Sequence, residues 1–337
     1  MVETAIVILN YNGENFLSQF LPSIIQHCAN EEIIVADNCS TDNSTNFLKK
    51  NFPTIKLIEL KENYGFTGGY NRIISELPHK YCVLLNSDVE VTPNWTQPII
   101  RFMNENENVA ACQPKILSYH EKSSFEYAGA AGGFIDTLGF PYCRGRIFET
   151  LELDENQYDE TLKVFWATGA CMFVRVKDFI ASGGFDEDFF AHMEEIDLCW
   201  RFHLMKKEVY CIPESLVYHV GGGTLSKSNP RKTYFNFRNN LSMLFKNETV
   251  GKLIWKLPLK LSLDWIAAFK FWFDNSFSHF LAVIRAHFYF FSNISKNYKK
   301  RGQVNGLRKG SVIVENQGLI ISTYFLKGLK KYSDFKK

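Results

Sequence analysis

The sequence predicts an α/β fold in which a mixed, mainly parallel sheet is flanked by helices and a C-terminal region of amphipathic helices follows. Three observations carry this. Short apolar runs alternate with helical stretches through the first third of the chain. Asn, Asp and Gly recur just after those runs. Beyond Arg231 the composition turns to Phe, Trp, Leu and Ile, with charges spaced among them. Strand–helix alternation requires crossover connections, hence parallel strands with both faces covered.

The expected strands are Thr4–Leu9, Glu32–Ala36, Ile55–Leu60 and Tyr81–Leu85. Helices are expected over Asn15–Cys28, over Ser44–Asn51 and near Gly69–Leu77. Polar residues follow each strand: Asn10-Tyr11-Asn12-Gly13, Asp37-Asn38, Asn63-Tyr64-Gly65 and Asn86-Ser87-Asp88. Each alone is turn chemistry; together they mark the carboxyl edge of the sheet, where such folds bind ligands. Residues 113–161 read as long loops and short strands, with a glycine patch at Gly129–Gly133 and Arg144 and Arg146 beyond it. A strand-like run from Val164 carries Phe165-Trp166 and continues to Val174; His192–Lys206 reads as a helix and Glu208–Ile212 as a strand.

Between Lys252 and Ser292 no window of eighteen residues is free of charge, which argues against a spanning helix. Amphipathic helices lying on a membrane surface fit better, with Trp255, Trp265 and Trp272 as interfacial aromatics, although packing on protein gives the same pattern. The charge distribution favours the membrane. From Lys296 onward eleven Lys/Arg face two acids, a balance of +9, so the remainder of this +2 chain carries −7. A basic tail beside an amphipathic segment favours anionic lipid. Eight cysteines without a Cys-x-x-Cys pair, most within apolar runs, read as free core thiols in a reducing cytosol. No signal peptide is evident at the N-terminus. The expected division is a catalytic unit over 1–245 and a helical, membrane-associating region over 246–337.

Asp88 follows a wholly apolar strand, which would hold its carboxylate rigidly at the sheet edge. Mg²⁺ or Mn²⁺ takes oxygen ligands and often needs only one or two carboxylates beside substrate phosphates. By itself Asp88 reads more readily as a turn residue than as a ligand. His219 closes the run Ser215–Tyr218 and opens into Gly221-Gly222-Gly223-Thr224, where backbone can approach a ligand; a neutral imidazole would complement Asp88 on the metal. Glu194, Glu195 and Asp197 lie in one helical stretch, so all three cannot serve one site, and the helix dipole alone would favour acids there. Their apolar lead-in, Phe189–Met193, partly desolvates them and raises a carboxylate toward general-base range.

With these residues assembled, the chain resembles glycosyltransferase family 2, and within it bacterial rhamnosyltransferase-like members. The resemblance runs from about Thr4 to Phe245. It rests on seven motifs in order: Ile8-Leu9-Asn10-Tyr11-Asn12, Val35–Asp42, Asn63–Asn71, Leu85-Asn86-Ser87-Asp88-Val89, Trp166–Ala170, Glu194–Arg201, and His219. It implies a GT-A-type, Rossmann-like fold and an inverting, metal-dependent transferase of hexosyl type. Such an enzyme moves a sugar from a UDP- or dTDP-linked donor to a hydroxyl of a glycan or lipid-linked acceptor in cell-surface polysaccharide synthesis.

The resemblance also implies roles. Tyr11 and Asp37 frame the nucleoside, Asn63 and Asn71 shape its pocket, and Asp88 joins His219 on Mg²⁺ or Mn²⁺ beside the nucleotide. Glu195 is the base that deprotonates the acceptor. Trp166, Glu194 and Asp197 face acceptor or donor sugar. Apart from the resemblance, Arg238 in Phe235–Asn239 reads as a clamp on the diphosphate and equally as a helix-surface residue. Two departures stand out. Asn86 and Ser87 occupy positions where many members carry further aspartates, and Glu195 replaces the usual aspartate, moving the carboxylate by roughly 1.5 Å. The expected partners are a nucleotide-sugar, an acceptor and the inner face of the cell membrane, with the protein cytoplasmic and peripheral. No nucleic acid is expected, and a homo-oligomer is left open. The alternatives are an inactive, membrane-docked nucleotide-sugar-binding scaffold and a nucleotidyltransferase; the latter lacks its Gly/Lys-rich phosphate loop after the first strand.

Overall fold

A computed structural model describes residues 2–28, 30–221, 229–310, 312 and 318–336. Gly222, Gly223 and Thr224, expected to open the backbone beside His219, lie outside the described residues. The chain begins β1 (Thr4–Asn10), α1 (Glu14–His27), β2 (Glu32–Asp37), α2 (Ser44–Asn51), β3 (Lys56–Glu59), α3 (Gly65–Ile74) and β4 (Tyr81–Leu85). β5 (Val89–Val91), α4 (Gln97–Glu105) and β6 (Val109–Ser118) follow. Then come β7 (Gly133–Ile135), β8 (Pro141–Cys143), β9 (Arg146–Ile147), β10 (Thr150–Leu151) and β11 (Leu162–Lys163). β12 (Cys171–Arg175), α5 (Val176–Ala181), α6 (Glu194–Leu204) and β13 (Glu208–His219) complete the α/β part.

The main sheet runs β11-β13-β6-β12-β4-β1-β2-β3, with β5 paired to β13. β3, β2, β1 and β4 are mutually parallel, whereas β12 is antiparallel to β4 and β6. Alternation along β1 sends Ala5 and Val7 to one apolar core and Ile6 and Ile8 to the other, so both faces are covered. A four-stranded antiparallel sheet, β10-β9-β8-β7, supplies the short strands of the stretch read as long loops and short strands.

Some boundaries differ from expectation for physical reasons. α3 begins four residues before the expected Gly69 because side chains cap it: Asn63 Oδ1 accepts from Gly65 N (2.9 Å) and Asn38 Oδ1 from Tyr64 N (3.0 Å). Its glycines serve close packing rather than a loop; a Cβ on Gly69 would meet the Leu9 side chain at 2.8 Å. The run from Val164 becomes regular strand only at Cys171, and β13 extends through an irregularity between Ile212 and Leu216 as far as His219.

Four α-helices follow: α7 (Pro230–Asn247), α8 (Val250–Phe273), α9 (Phe277–Ser292) and α10 (Ile294–Leu307). The expected division at 245/246 falls inside α7. The basic tail, expected to reach lipid, folds back in part onto the protein. Lys296 pairs with Asp188 (2.6 Å), Lys300 pairs with Asp186 and Asp188, Arg301 donates to the Phe245 carbonyl and Arg308 to that of Asn247. Further on, Tyr332 stacks on Phe134 at 5.5 Å. No helix among the described residues is long and apolar enough to cross a membrane.

Candidate active site

Loops after β1, β2 and β3 are laced together by their Asn and Asp side chains. Asn10 Nδ2 donates to Asp37 Oδ1 (2.9 Å) and Ser40 Oγ (3.1 Å), and Ser40 N donates to Asp37 Oδ2 (2.9 Å). Asn38 Nδ2 donates to Asn63 Oδ1 (3.1 Å) and to the Gly65 carbonyl (3.0 Å). Asp37 is buried with one donor on each oxygen, and a carboxylate retains further acceptor capacity. Tyr11 stands beside it 46% exposed, free to stack on a planar ligand.

At the next strand end, β5 pairs antiparallel with β13 so that Val89 opposes His219, and Val220 N donates to the Asp88 carbonyl (3.0 Å). This register brings His219 Nε2 to 3.1 Å from Asp88 Oδ1 and 3.4 Å from Asn86 Nδ2. On the other side of the ring, Glu126 Oε1 lies 3.3 Å from His219 Nδ1, an ion-pair contact short of hydrogen-bond geometry. Glu126 escaped the sequence reading because it falls in the stretch read as loops; its one signal was an acid between Phe125 and Tyr127. Burial disfavours a charged imidazole here, but Glu126 and Asp88 outweigh it and hold His219 up to about 10.

The residues fit a divalent cation that displaces the His219 Nε2 proton from Asp88, since a metal takes the neutral imidazole. Two donors about 2.1 Å from an octahedral ion and at right angles stand about 3.0 Å apart, close to the separation of Asp88 Oδ1 and His219 Nε2. A carboxylate behind the other ring nitrogen is the usual support of a metal-bound histidine. The protein's own set is sparse: among the described residues no group of three or more His, Cys, Asp or Glu is arranged to hold a metal.

The acidic pair is delivered by a strained turn. Phe190, His192 and Met193 all have positive φ (63°, 70° and 70°), an arrangement that non-glycine residues keep only when their surroundings impose it. Here α7 imposes it. Arg238 Nη2 donates to the carbonyls of Asp188 (2.7 Å) and Phe189 (2.8 Å), and Asn239 Nδ2 donates to those of Phe189, Ala191 and His192. From the side of the strand-end loops, Phe66 N donates to the Phe190 carbonyl (2.8 Å), tying this turn to α3.

Glu194 and Glu195 then open α6, each with a solvent-shielded Oε2 that has no hydrogen-bond partner. Burial raises Glu195 to about 7, against the opposing backbone N–H groups of Glu195 and Ile196; burial and the neighbouring Glu195 raise Glu194 well above its usual value. A carboxylate with one unpartnered oxygen, poised near neutral pH, is suited to accepting a proton.

Four expected site residues have other tasks. Asp197 is fully buried and saturated: Arg201 donates through Nε and Nη2, Lys246 Nζ lies 2.9 Å away, and Asn247 Nδ2 donates at 2.6 Å. It fastens α6 to α7 and cannot reach a sugar. Trp166 is buried, its Nε1 donating to the Phe134 carbonyl (2.9 Å) with its indole against Gly133. Arg238, expected on a diphosphate, is spent on the carbonyls of the turn before Glu194. Asn71 exchanges two hydrogen bonds with the Phe185 backbone and braces the approach to that turn.

Residues 5–180 match the profile of Glycosyl transferase family 2. The chain is 26% identical over 211 residues to the N-acetylglucosaminyl-diphospho-decaprenol L-rhamnosyltransferase of Mycobacterium tuberculosis, covering 57% of this chain and 68% of that protein. It is 24% identical over 223 residues to the Rhamnosyltransferase WbbL of Escherichia coli, covering 64% and 82%. In fold it is similar to GalNAc-T7 solved with UDP, GalNAc and Mn²⁺ (TM-score 0.54, 15% identity, 73% of this chain and 48% of that one). It is likewise similar to the mannosyltransferase PcManGT of Pyrobaculum calidifontis in complex with GDP-Man and Mn²⁺ (TM-score 0.51, 11% identity, 91% and 81%).

Proposed function

Because the chain belongs to glycosyltransferase family 2 and has the GT-A fold, we propose that it transfers a sugar, with inversion, from a UDP- or dTDP-linked donor to a hydroxyl of a lipid-linked glycan in cell-surface polysaccharide synthesis. The nucleoside stacks on Tyr11 and hydrogen-bonds to Asp37, in a pocket whose wall Asn63 and Asn38 stiffen. Asp88 and His219 would hold Mg²⁺ or Mn²⁺, which when bound offsets charge on the donor diphosphate. Glu195 takes the proton from the acceptor hydroxyl as that oxygen attacks the anomeric carbon. Glu194, the adjacent residue, is assigned to the sugar groups.

One observation carries this reading: the sealed, unpartnered Oε2 of Glu195, raised to about 7 at the tip of a strained turn. One named relative supports the acceptor class, through the diphospho-decaprenol in its name. The protein is read as cytoplasmic and peripheral on the inner face of the membrane.

Purified protein is to be incubated with UDP- and dTDP-sugars, with and without Mn²⁺, alone and with a polyprenyl-diphosphate glycan. Mn²⁺-dependent release of nucleotide, increased by the acceptor and lost in Glu195→Gln, is expected. Donor binding without turnover under every condition would instead mark a scaffold.

A further inference from the structure

The outward arc of α8 is apolar and its inward arc is charged. Lys256, Lys260 and Asp264 are buried, with Lys256 paired to Glu248 (2.5 Å), Lys260 to Asp264 (2.5 Å) and Asp264 to His287 (3.3 Å). Trp255, Leu259, Trp265, Ile266, Phe269 and Phe273 are exposed, Ile266 by 65% and Phe273 by 82%. At 100° per residue these six fall within an arc of about 120°. A helix packed on a water-soluble core has the opposite pattern, and burying ion pairs carries a desolvation cost.

The apolar surface is continuous. Trp265 meets Phe269 at 5.9 Å, Phe269 stacks on Trp272 at 6.2 Å, and Trp272 meets Phe277 at 6.3 Å across the turn into α9. Contiguous exposed apolar surface of this kind marks a contact site. Its charged neighbours are one-sided: the exposed charged residues of α8, α9 and their turn are Lys252, Lys270, Arg285 and Asp274. The single acid is paired with Lys270 (2.5 Å).

We propose that this face of α8, with Phe277, seats in the headgroup layer of an anionic bilayer, its aromatics at the acyl boundary and Lys252, Lys270 and Arg285 toward lipid phosphates. The inference rests on the reading of a lipid-linked acceptor and deepens it by naming the surface that meets the lipid. Net positive charge favours an anionic surface over a second copy, because a two-fold interface sets a patch against itself. The seat is mechanically joined to the chemistry. α7, packed beneath, holds the base turn through Arg238 and Asn239, and α10 grips Asp186 and Asp188 through Lys300. Glu195 therefore stands at a fixed height above the lipid, where an acceptor anchored by its tail would present its hydroxyl.

The test uses the full chain and sedimentation with phosphatidylcholine vesicles, with and without phosphatidylglycerol. The expected result is binding that strengthens with phosphatidylglycerol, a blue-shifted tryptophan emission, and partitioning reduced on the order of 100-fold in the triple variant Ile266→Ser, Phe269→Ser, Phe273→Ser. Circular dichroism and a thermal shift with UDP and Mn²⁺ report separately on folding and donor binding, so a failed catalytic reading is distinguishable from a failed seat. Equal sedimentation of wild type and variant overturns the proposal. So does absence of vesicle binding together with a dimer, seen by light scattering, that the triple substitution dissociates.

Discussion

Asp88 Oδ1 and His219 Nε2 lie 3.1 Å apart although 131 residues separate them in the chain. Pairing of Val89 with His219 fixes that distance through backbone, so it does not depend on flexible side chains finding each other. Asp88→Asn or His219→Ala should weaken Mn²⁺ binding by about 100-fold, and Glu126→Gln by about tenfold. Electron paramagnetic resonance of Mn²⁺ titrated in the presence of UDP measures this directly. Unchanged affinity in the first two variants would remove both residues from the metal.

Glu195 links activity and stability to pH in opposite directions. Its folded value of about 7 exceeds the ordinary 4.5, so the folded state favours the neutral acid. Stability from this group is full below about 4.5 and is lost as pH rises through 7. Activity needs the carboxylate and runs the other way, with a rate that falls below about pH 7. Glu195→Gln should lower kcat by roughly 10²–10⁴-fold while raising Tm above pH 7 and leaving it little changed near pH 4. A variant destabilised above pH 7 would contradict the burial on which the assignment depends.

Tyr11 offers a test of the donor side alone. Its ring is 46% exposed, and the neighbouring loop is fixed by hydrogen bonds of Asn12 and Asn10 rather than by Tyr11. Tyr11→Ala should therefore fold normally, and losing a base-stacking surface costs about 1–3 kcal/mol, or roughly 10–100-fold in the affinity for UDP. Tyr11→Phe should retain most of that affinity. Isothermal titration of both variants decides it; equal binding by Ala and wild type would move the nucleoside elsewhere.

What the sequence made legible follows from the range of the forces involved. The strand ends at Asn10, Asp37, Asn63 and Asp88 were readable because hydrophobic periodicity and turn residues are local. Pairing Asp88 with His219 was accessible through motif order. The residues misassigned to ligands, Asp197, Arg238 and Trp166, are buried groups whose partners come from distant segments, and a polar residue in a motif looks the same whether it faces a substrate or a carbonyl. Glu126 was invisible for the same reason in reverse. For α8 the sequence left two readings, an apolar face turned to a membrane or packed on protein, since an amphipathic pattern does not say which face is turned inward.

The ionic cluster beneath the base turn should be a determinant of stability rather than of substrate affinity. Asp186 is buried between Lys246 (2.5 Å) and Lys300, and Lys246 also reaches Asp197 (2.9 Å). Burial alone would raise Asp186, but the two lysines outweigh it and hold its carboxyl far below the usual range. The stability it contributes is present above its unfolded value near 4 and is lost as pH falls through and below that value. Removing one member of a buried pair leaves an uncompensated charge, at about 3–5 kcal/mol. Asp186→Asn and Asp197→Asn should each lower unfolding free energy at pH 7 by that amount in urea titrations, with the Asp186→Asn deficit shrinking below pH 4. Affinity for UDP in the folded fraction should stay near wild type. A large rise in donor KM with unchanged stability for Asp197→Asn would return that carboxylate to the sugar site.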